Sequence, residues 1–199
     1  MSPALPDAEV RRPGRPRSPE ADEAILAAAV ELFTESGYEG LTVEGVAARA
    51  GVGKATIYRR YPCKVDLVVA AARCFTEPHS VSPDTGSTRG DLYALVEGLI
   101  AVLTTTPLGR AMPILLAERT RIPELDIAYG AFINEKRARG VTTVRRGIER
   151  SELAADVDSD AFVDFYVGPV FYRFLVTHAP LDGGFVDAVV TATLRAFAP

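Results

Sequence analysis

The sequence predicts an all-α chain, and three observations predict it. Apolar residues recur three and four positions apart along most of its length, the repeat of a helix face. No run alternates apolar and polar residues between hairpin turns, so strands are not expected. Glycines and prolines fall where the periodic stretches end, as helix stops do. The chain divides into an arm at 1–17, a helical unit at 18–77, a linker at 78–90 and a second helical unit at 91–199.

Residues 1–17 are rich in Pro and Arg, lack apolar periodicity and are expected to be disordered in isolation. Ser18-Pro19-Glu20 suits a helix start: a capping side chain, Pro at the first position and an acid in the first turn. Ile25, Leu26, Ala29, Leu32 and Phe33 form one apolar stripe, and Gly37 ends that helix. Thr42 is placed to cap a short second helix carrying Val43, Val46, Ala47 and Ala50, which Gly51 stops. Gly53 opens a third, ATIYRRY, which Pro62 stops. A fourth runs from about Cys63 through Leu67, Val68, Ala71, Ala72 and Phe75.

The stretch PHSVSPDTGSTRG at 78–90 has the Pro, Ser, Gly and Thr content of a linker. Beyond it, Leu92, Leu95, Val96, Leu99, Ile100 and Leu103 mark one helix. Ile114, Leu115 and Leu116 mark another that stops near Pro123. A long helix follows from Pro123 to about Arg150, and two more run from Asp158 to His178 and from Gly184 to Phe197. Gly168-Pro169 is expected to kink the first of these two, since Pro removes a backbone donor.

Composition narrows the function. The N-terminus has no apolar core of a secretory signal, and no apolar run approaches the roughly 18 residues of a membrane span, so a cytoplasmic protein without a membrane partner is expected. Two cysteines, Cys63 and Cys74, form no CxxC pair, and the histidines are only His79 and His178, so no metal or cofactor is expected. The chain has no phosphate loop and no G-x-S-x-G elbow, which argues against an enzyme. Its net charge is −4, yet residues 1–75 balance ten basic against ten acidic side chains. Cations gather at Arg11, Arg12, Arg15 and Arg17, and again in AGVGKATIYRRYPCK at 50–64, which holds Lys54, Arg59, Arg60 and Lys64 and no acid. Such clusters are either solvated patches or a surface offered to an anion.

The spacing decides between these. Two short helices joined by Ala50-Gly51-Val52-Gly53 have the helix-turn-helix format. Ala47, Ala50 and Val52 allow close approach, and Ile57 falls where the third helix needs an anchor. The opposite face then presents Lys54, Thr56, Tyr58 and Arg59. Lys and Arg neutralise phosphates or bond guanine, Thr and Tyr bond phosphates, and Ala55 fits against a thymine methyl.

Residues 20–75 resemble the DNA-binding domain of the TetR family of bacterial transcriptional regulators. The resemblance lies in ILAAAVELF at 25–33, Gly37-Tyr38, Thr42-Val43 with Val46-Ala47, AGVGKATIYRRY, and Lys64 with Leu67. Gly45 and Pro62-Cys63 depart from the family pattern without removing a groove-facing side chain. The resemblance implies double-stranded DNA as partner. It implies that Thr42 caps its helix and touches a phosphate, and that Lys54, Ala55 and Thr56 start the groove-facing helix. It further implies that Tyr58 and Arg59 reach phosphate or base edges, and that Tyr61 and Lys64 clamp the DNA backbone. For Arg60, solvation or an intramolecular pair stands beside DNA contact. Arg15 and Arg17, in GRPRS, resemble a minor-groove hook; a solubilising tail is the alternative.

The second unit resembles the family's ligand-binding and dimerisation domain less closely, with RTRIPEL and RRGIERSEL as its marks. The last two helices are expected to pair in a homodimer through Phe162, Phe165, Phe171, Phe174, Val186, Val189, Val190, Leu194 and Phe197; a monomer core is the alternative. A dimer places two recognition helices about one DNA turn apart, ~34 Å or a multiple. Candidate polar groups of a small-molecule pocket are Arg110, Glu118, Arg121, Tyr129, Asn134, Tyr166, Tyr172 and His178, among walls that suit a hydrophobic or aromatic effector. The whole reads as an effector-released repressor on a palindromic operator. An effector-independent or architectural DNA binder, or an activator, is the alternative. Cys63, at a helix start beside Lys64 and near Arg59 and Arg60, is a candidate reactive thiol.

Overall fold

The computed structural model describes residues 19–79 and 82–199, and every regular element among them is helical. The Ser18 cap and the arm carrying Arg15 and Arg17 lie outside the described residues.

Helix α1 (Pro19–Gly40) starts with Pro19 and sets Glu20 and Asp22 at the positive end of its dipole. Gly37 breaks it, with φ 68° and ψ −171°, a backbone that glycine adopts at little cost. Helix α2 (Val43–Ala50) is capped by the Thr42 hydroxyl, which accepts from the Gly45 amide at 3.0 Å. It ends at Gly51, with φ 66°. Helix α3 (Lys54–Tyr58) is shorter than the sequence suggests, because the Arg60 and Tyr61 amides both turn back to the Ile57 carbonyl before Pro62. Helix α4 (Lys64–Thr76) starts at a box in which the Asp66 carboxylate accepts from the Cys63 amide at 3.3 Å and from its thiol at 3.1 Å. Ile25, Phe33, Val46, Ile57 and Leu67 are buried where α1 meets α2 and α4. Each such side chain contributes about 1.5–3 kcal/mol by leaving water.

The second unit comprises α5 (Thr88–Thr105), α6 (Pro107–Arg119), α7 (Pro123–Glu149), α8 (Ser159–Tyr172) and α9 (Gly183–Ala196). Thr106 turns the chain by 89° between α5 and α6: its hydroxyl donates to the Val102 carbonyl at 2.7 Å and accepts from the Leu108 amide at 3.2 Å. Helix α5 lies against α6, α7, α8 and α9, and α7 also touches α4 and α6. The two units are therefore joined through α1 on α6 and α4 on α7.

One expectation needs correcting. Residues 83–90 are not a free linker. Pro83 and Thr88 are buried, and α5 already begins at Thr88. Asp91, fully buried, accepts from the Thr85 amide at 2.7 Å and hydroxyl at 2.8 Å and lies 3.4 Å from Arg150 and 3.6 Å from Arg146. The same arginines hold Asp84 at 2.7 and 3.2 Å. Polar composition suggested a linker because it does not show that the polar groups have buried partners. Helix α8 runs through Gly168 and Pro169 and winds into a π turn at Arg173–Thr177, which stops at His178 with φ 51°.

Among the described residues no single helix is long and apolar enough to cross a membrane, and no group of three or more His, Cys, Asp or Glu could hold a metal ion.

Candidate nucleic-acid interface and ligand cavity

The turn between α2 and α3 is set by Gly51, and the pair is anchored by Val46, Ala47 and Ile57, all buried. Burying that face leaves the other to solvent. Lys54, Ala55, Tyr58 and Arg59 are exposed there, Tyr58 by 51%, and Thr56 is half-buried. Thr42 is exposed at the start of α2. Arg59 makes no ion pair among the described residues. Lys54 donates to Glu44 on α2 at 2.8 Å, and that hydrogen bond holds the Glu44 carboxyl below its usual range. Glu44 is a partner that the sequence reading did not single out, although an acid in the first turn of α2 was its signal.

The next residues are turned inward. Arg60 pairs with Asp22, which settles its two readings in favour of the intramolecular one in this structure. Lys64 donates to the last carbonyls of α1, Glu39 at 3.1 Å and Tyr38 at 3.4 Å, and lies 5.6 Å from the Tyr38 ring centre. Tyr61 is half-buried against the core, and burial, then the Asp22 charge, raises its pKa. Lys64 thus fastens α4 to α1 in this state, and the outward set reduces to Thr42, Lys54, Ala55, Thr56, Tyr58 and Arg59. Of the cations expected to activate Cys63, Lys64 and Arg60 are directed elsewhere, and the thiol faces Asp66.

A cavity of about 160 Å³ opens between α4, α5, α6, α7 and α8. Leu95, Leu99, Val102, Leu103, Met112 and Phe132 form much of its wall. Of the polar candidates from the sequence, only Tyr166 lines it. Arg110, Arg121, Asn134, Tyr172 and His178 are exposed. Glu118 sits against Gly37, where a Cβ would lie 2.9 Å from its Oε1. Tyr129 is buried under Arg119, 4.4 Å from its ring centre. The cationic part of the lining was not anticipated: Lys136 and Arg139, three apart on α7 and so on one face, with Arg137 beside them. Arg137 is held by Asp160 at 2.8 Å and Asp164 at 2.6 Å.

The proposed pairing surface also divides. Phe162, Val186, Val189 and Val190 are buried within the protomer and present nothing to a partner. Phe171 lines the cavity. Phe165 is 48% exposed with its ring against Phe197 at 5.5 Å, and Tyr172 and Val176 are also exposed. Phe174, Leu194 and Phe197 are half-buried.

Residues 25–71 match the family described as bacterial regulatory proteins, tetR family, and residues 82–193 match the tetracyclin repressor-like C-terminal domain. The chain belongs to the TetR family. It is 31% identical over 181 residues to the uncharacterized HTH-type transcriptional regulator YdeS of Bacillus subtilis, covering 90% of this chain and 91% of that one. It is 30% identical over 181 residues to the DNA-binding transcriptional repressor TetR of Mycobacteroides abscessus, covering 86% and 90%. The solved TetR family transcription regulator SCO0332 superposes with a TM-score of 0.71 at 33% identity, covering 90% of this chain and all of that one. Like other TetR-family proteins, this one is a DNA-binding transcriptional regulator and not an enzyme.

Proposed function

We propose that this TetR-family protein is a repressor that grips a palindromic operator as a homodimer and lets go when a small hydrophobic molecule enters the cavity. The observation that carries this reading is the course of α4. Its first residue follows the recognition helix by one turn, and its last, Thr76, lines the cavity together with His79 just beyond it. Thirteen residues of helix span about 18 Å. A ligand that favours a different position of Thr76 and His79 therefore shifts α4, a lever that follows α3 by one turn and packs on α1.

The ligand acts only through its differential affinity for the two arrangements, and a coupling of about 1–3 kcal/mol changes operator affinity roughly 5- to 150-fold. Pairing supports reading two half-sites, and the exposed Phe165, Tyr172 and Val176 with the outer edges of Phe174, Leu194 and Phe197 offer an apolar surface for it. Repression accords with the Mycobacteroides abscessus relative, a DNA-binding transcriptional repressor. An effector-independent architectural binder has no use for a cavity between the lever and the core.

The experiment is a screen of hydrophobic small molecules for thermal stabilisation of the full chain, followed by competition against operator DNA from the flanks of its own gene. Compounds that stabilise the protein and displace DNA support the reading. Tight operator binding that no stabilising compound alters contradicts it.

A further inference from the structure

The cavity wall is mostly apolar, with Thr76, His79 and Tyr166 as its uncharged polar members, and its charged residues have a single sign. Lys136, Arg137 and Arg139 all line it, and no Asp or Glu does. Arg137 is neutralised from outside by Asp160 and Asp164. Lys136 has Glu135 at 3.9 Å and the Phe132 ring at 5.1 Å. Arg139 makes no ion pair or hydrogen bond among the described residues. Beside it, Tyr166 is 5% exposed, and its hydroxyl has no hydrogen-bond partner among the described residues. That hydroxyl lies next to Gly140, 2.9 Å from where a Cβ would stand, so it sits one residue along α7 from Arg139.

Among the described residues the fully enclosed side-chain atoms without a partner are Thr88 Oγ1, Thr143 Oγ1 and Arg146 Nε, so the Tyr166 hydroxyl is not fully enclosed and, on a residue that lines the cavity, can donate to a molecule that enters. An unpaired donor and an unpaired guanidinium on the rim of an apolar space are arranged for an acceptor that arrives from outside. Burial, then repulsion from Arg139, lowers the Lys136 pKa, while the charges of Glu77 and Glu135 oppose that shift. Burial pushes the Tyr166 phenol up to about 12, which keeps its proton available to donate at neutral pH.

We propose that the cavity binds a hydrophobic carboxylate, its apolar body against Leu99, Val102, Met112 and Phe132 and its carboxylate on Arg139, Lys136 and the Tyr166 hydroxyl. The inference rests on the effector reading of the cavity but concerns the chemistry of the ligand. A planar guanidinium presents two parallel donors to a carboxylate, and the low dielectric of the apolar wall strengthens that bond. A neutral alcohol of the same size offers a single uncharged acceptor, so it recovers the apolar contact without the paired, charge-assisted bonds.

The test uses the full chain and two matched pairs, decanoate with decanol and 2-naphthoate with 2-naphthol. Calorimetry measures binding, and fluorescence anisotropy of labelled operator measures DNA release. At least one acid binds about tenfold or more tightly than its neutral partner. Arg139→Met and Tyr166→Phe each erase most of that preference while leaving the neutral compound's affinity and the melting temperature nearly unchanged. Neutral partners binding as well as the acids, a preference that survives both substitutions, or no binding by any of the four overturns the proposal. Acid-selective binding without DNA release leaves the carboxylate site standing and removes the effector role. Release by decanol or 2-naphthol with no acid preference does the reverse.

Discussion

Lys54 on α3 and Glu44 on α2 meet at 2.8 Å on the outer face of the helix-turn-helix, both more than half exposed. The contact joins the two helices, yet it places a carboxylate beside the surface that DNA approaches. Replacing Glu44 by Gln removes that negative charge and frees the lysine. Operator affinity then rises about two- to fivefold, and more at low salt than at high, because exposed pairs are modest and screened. Anisotropy titrations at several salt concentrations check this; an unchanged or weaker affinity at every concentration places the pair off the DNA surface.

Asp91 and its arginines predict a large effect far from DNA. Asp91 is fully buried and holds the Thr85 amide and hydroxyl while facing Arg146 and Arg150. Asp91→Ala leaves two guanidinium groups around an emptied acceptor, and removing one partner of a buried ion pair costs about 3–5 kcal/mol. Chemical denaturation gives the cost. A loss below about 1 kcal/mol shows that the network is solvated in practice.

Gly140 faces α8 so closely that a Cβ would lie 2.5 Å from Val163 Cγ2 and 2.9 Å from the Tyr166 hydroxyl. Gly140→Ala therefore forces α7 and α8 apart or pushes Tyr166 off its position, a cost of about 1–3 kcal/mol despite the better helix propensity of alanine. Thermal melting checks it, with Gly130→Ala, where a Cβ meets nothing within 4 Å, as the control that is neutral or stabilising.

The buried Tyr166 ionises only at high pH. Its pKa is raised to about 12, above the value near 10 of an exposed phenol. A raised native pKa gives a contribution to stability that is complete below about pH 10 and is lost as pH rises through about 12. Tyrosinate absorbance in an alkaline titration loses its latest phase in Tyr166→Phe. Persistence of that phase in the variant contradicts the assignment.

Much of this was legible in the sequence for physical reasons. Thr42 and Gly51 bounded α2 because a cap and a left-handed stop act locally, within one turn of chain. Ile57 against Lys54, Tyr58 and Arg59 defined a buried and an exposed face because helix periodicity alone separates them. What escaped was set by distant partners. Nothing local to Lys64 reveals that it reaches the end of α1, and nothing in PHSVSPDTGSTRG reveals Arg146 and Arg150, at the end of α7, which hold Asp84 and the following Asp91. The apolar residues Phe162, Val186, Val189 and Val190 read equally well as a partner surface or a core, and α5, packed on both α8 and α9, made them core. The cavity cations were visible only as a spacing of three on a helix already crowded with arginine.

The central claim is that the exposed face of α2 and α3 grips DNA. The measurement is binding of fluorescent DNA from the flanks of the protein's own gene across a salt series, for the wild type and for Lys54→Ala/Tyr58→Ala, two exposed positions whose loss spares the core. The account predicts site-selective binding, with log affinity falling by about 0.9 per neutralised phosphate against log salt, and a loss of at least tenfold with a shallower slope in the variant. Equal affinity of variant and wild type, or equal affinity for random DNA, contradicts it.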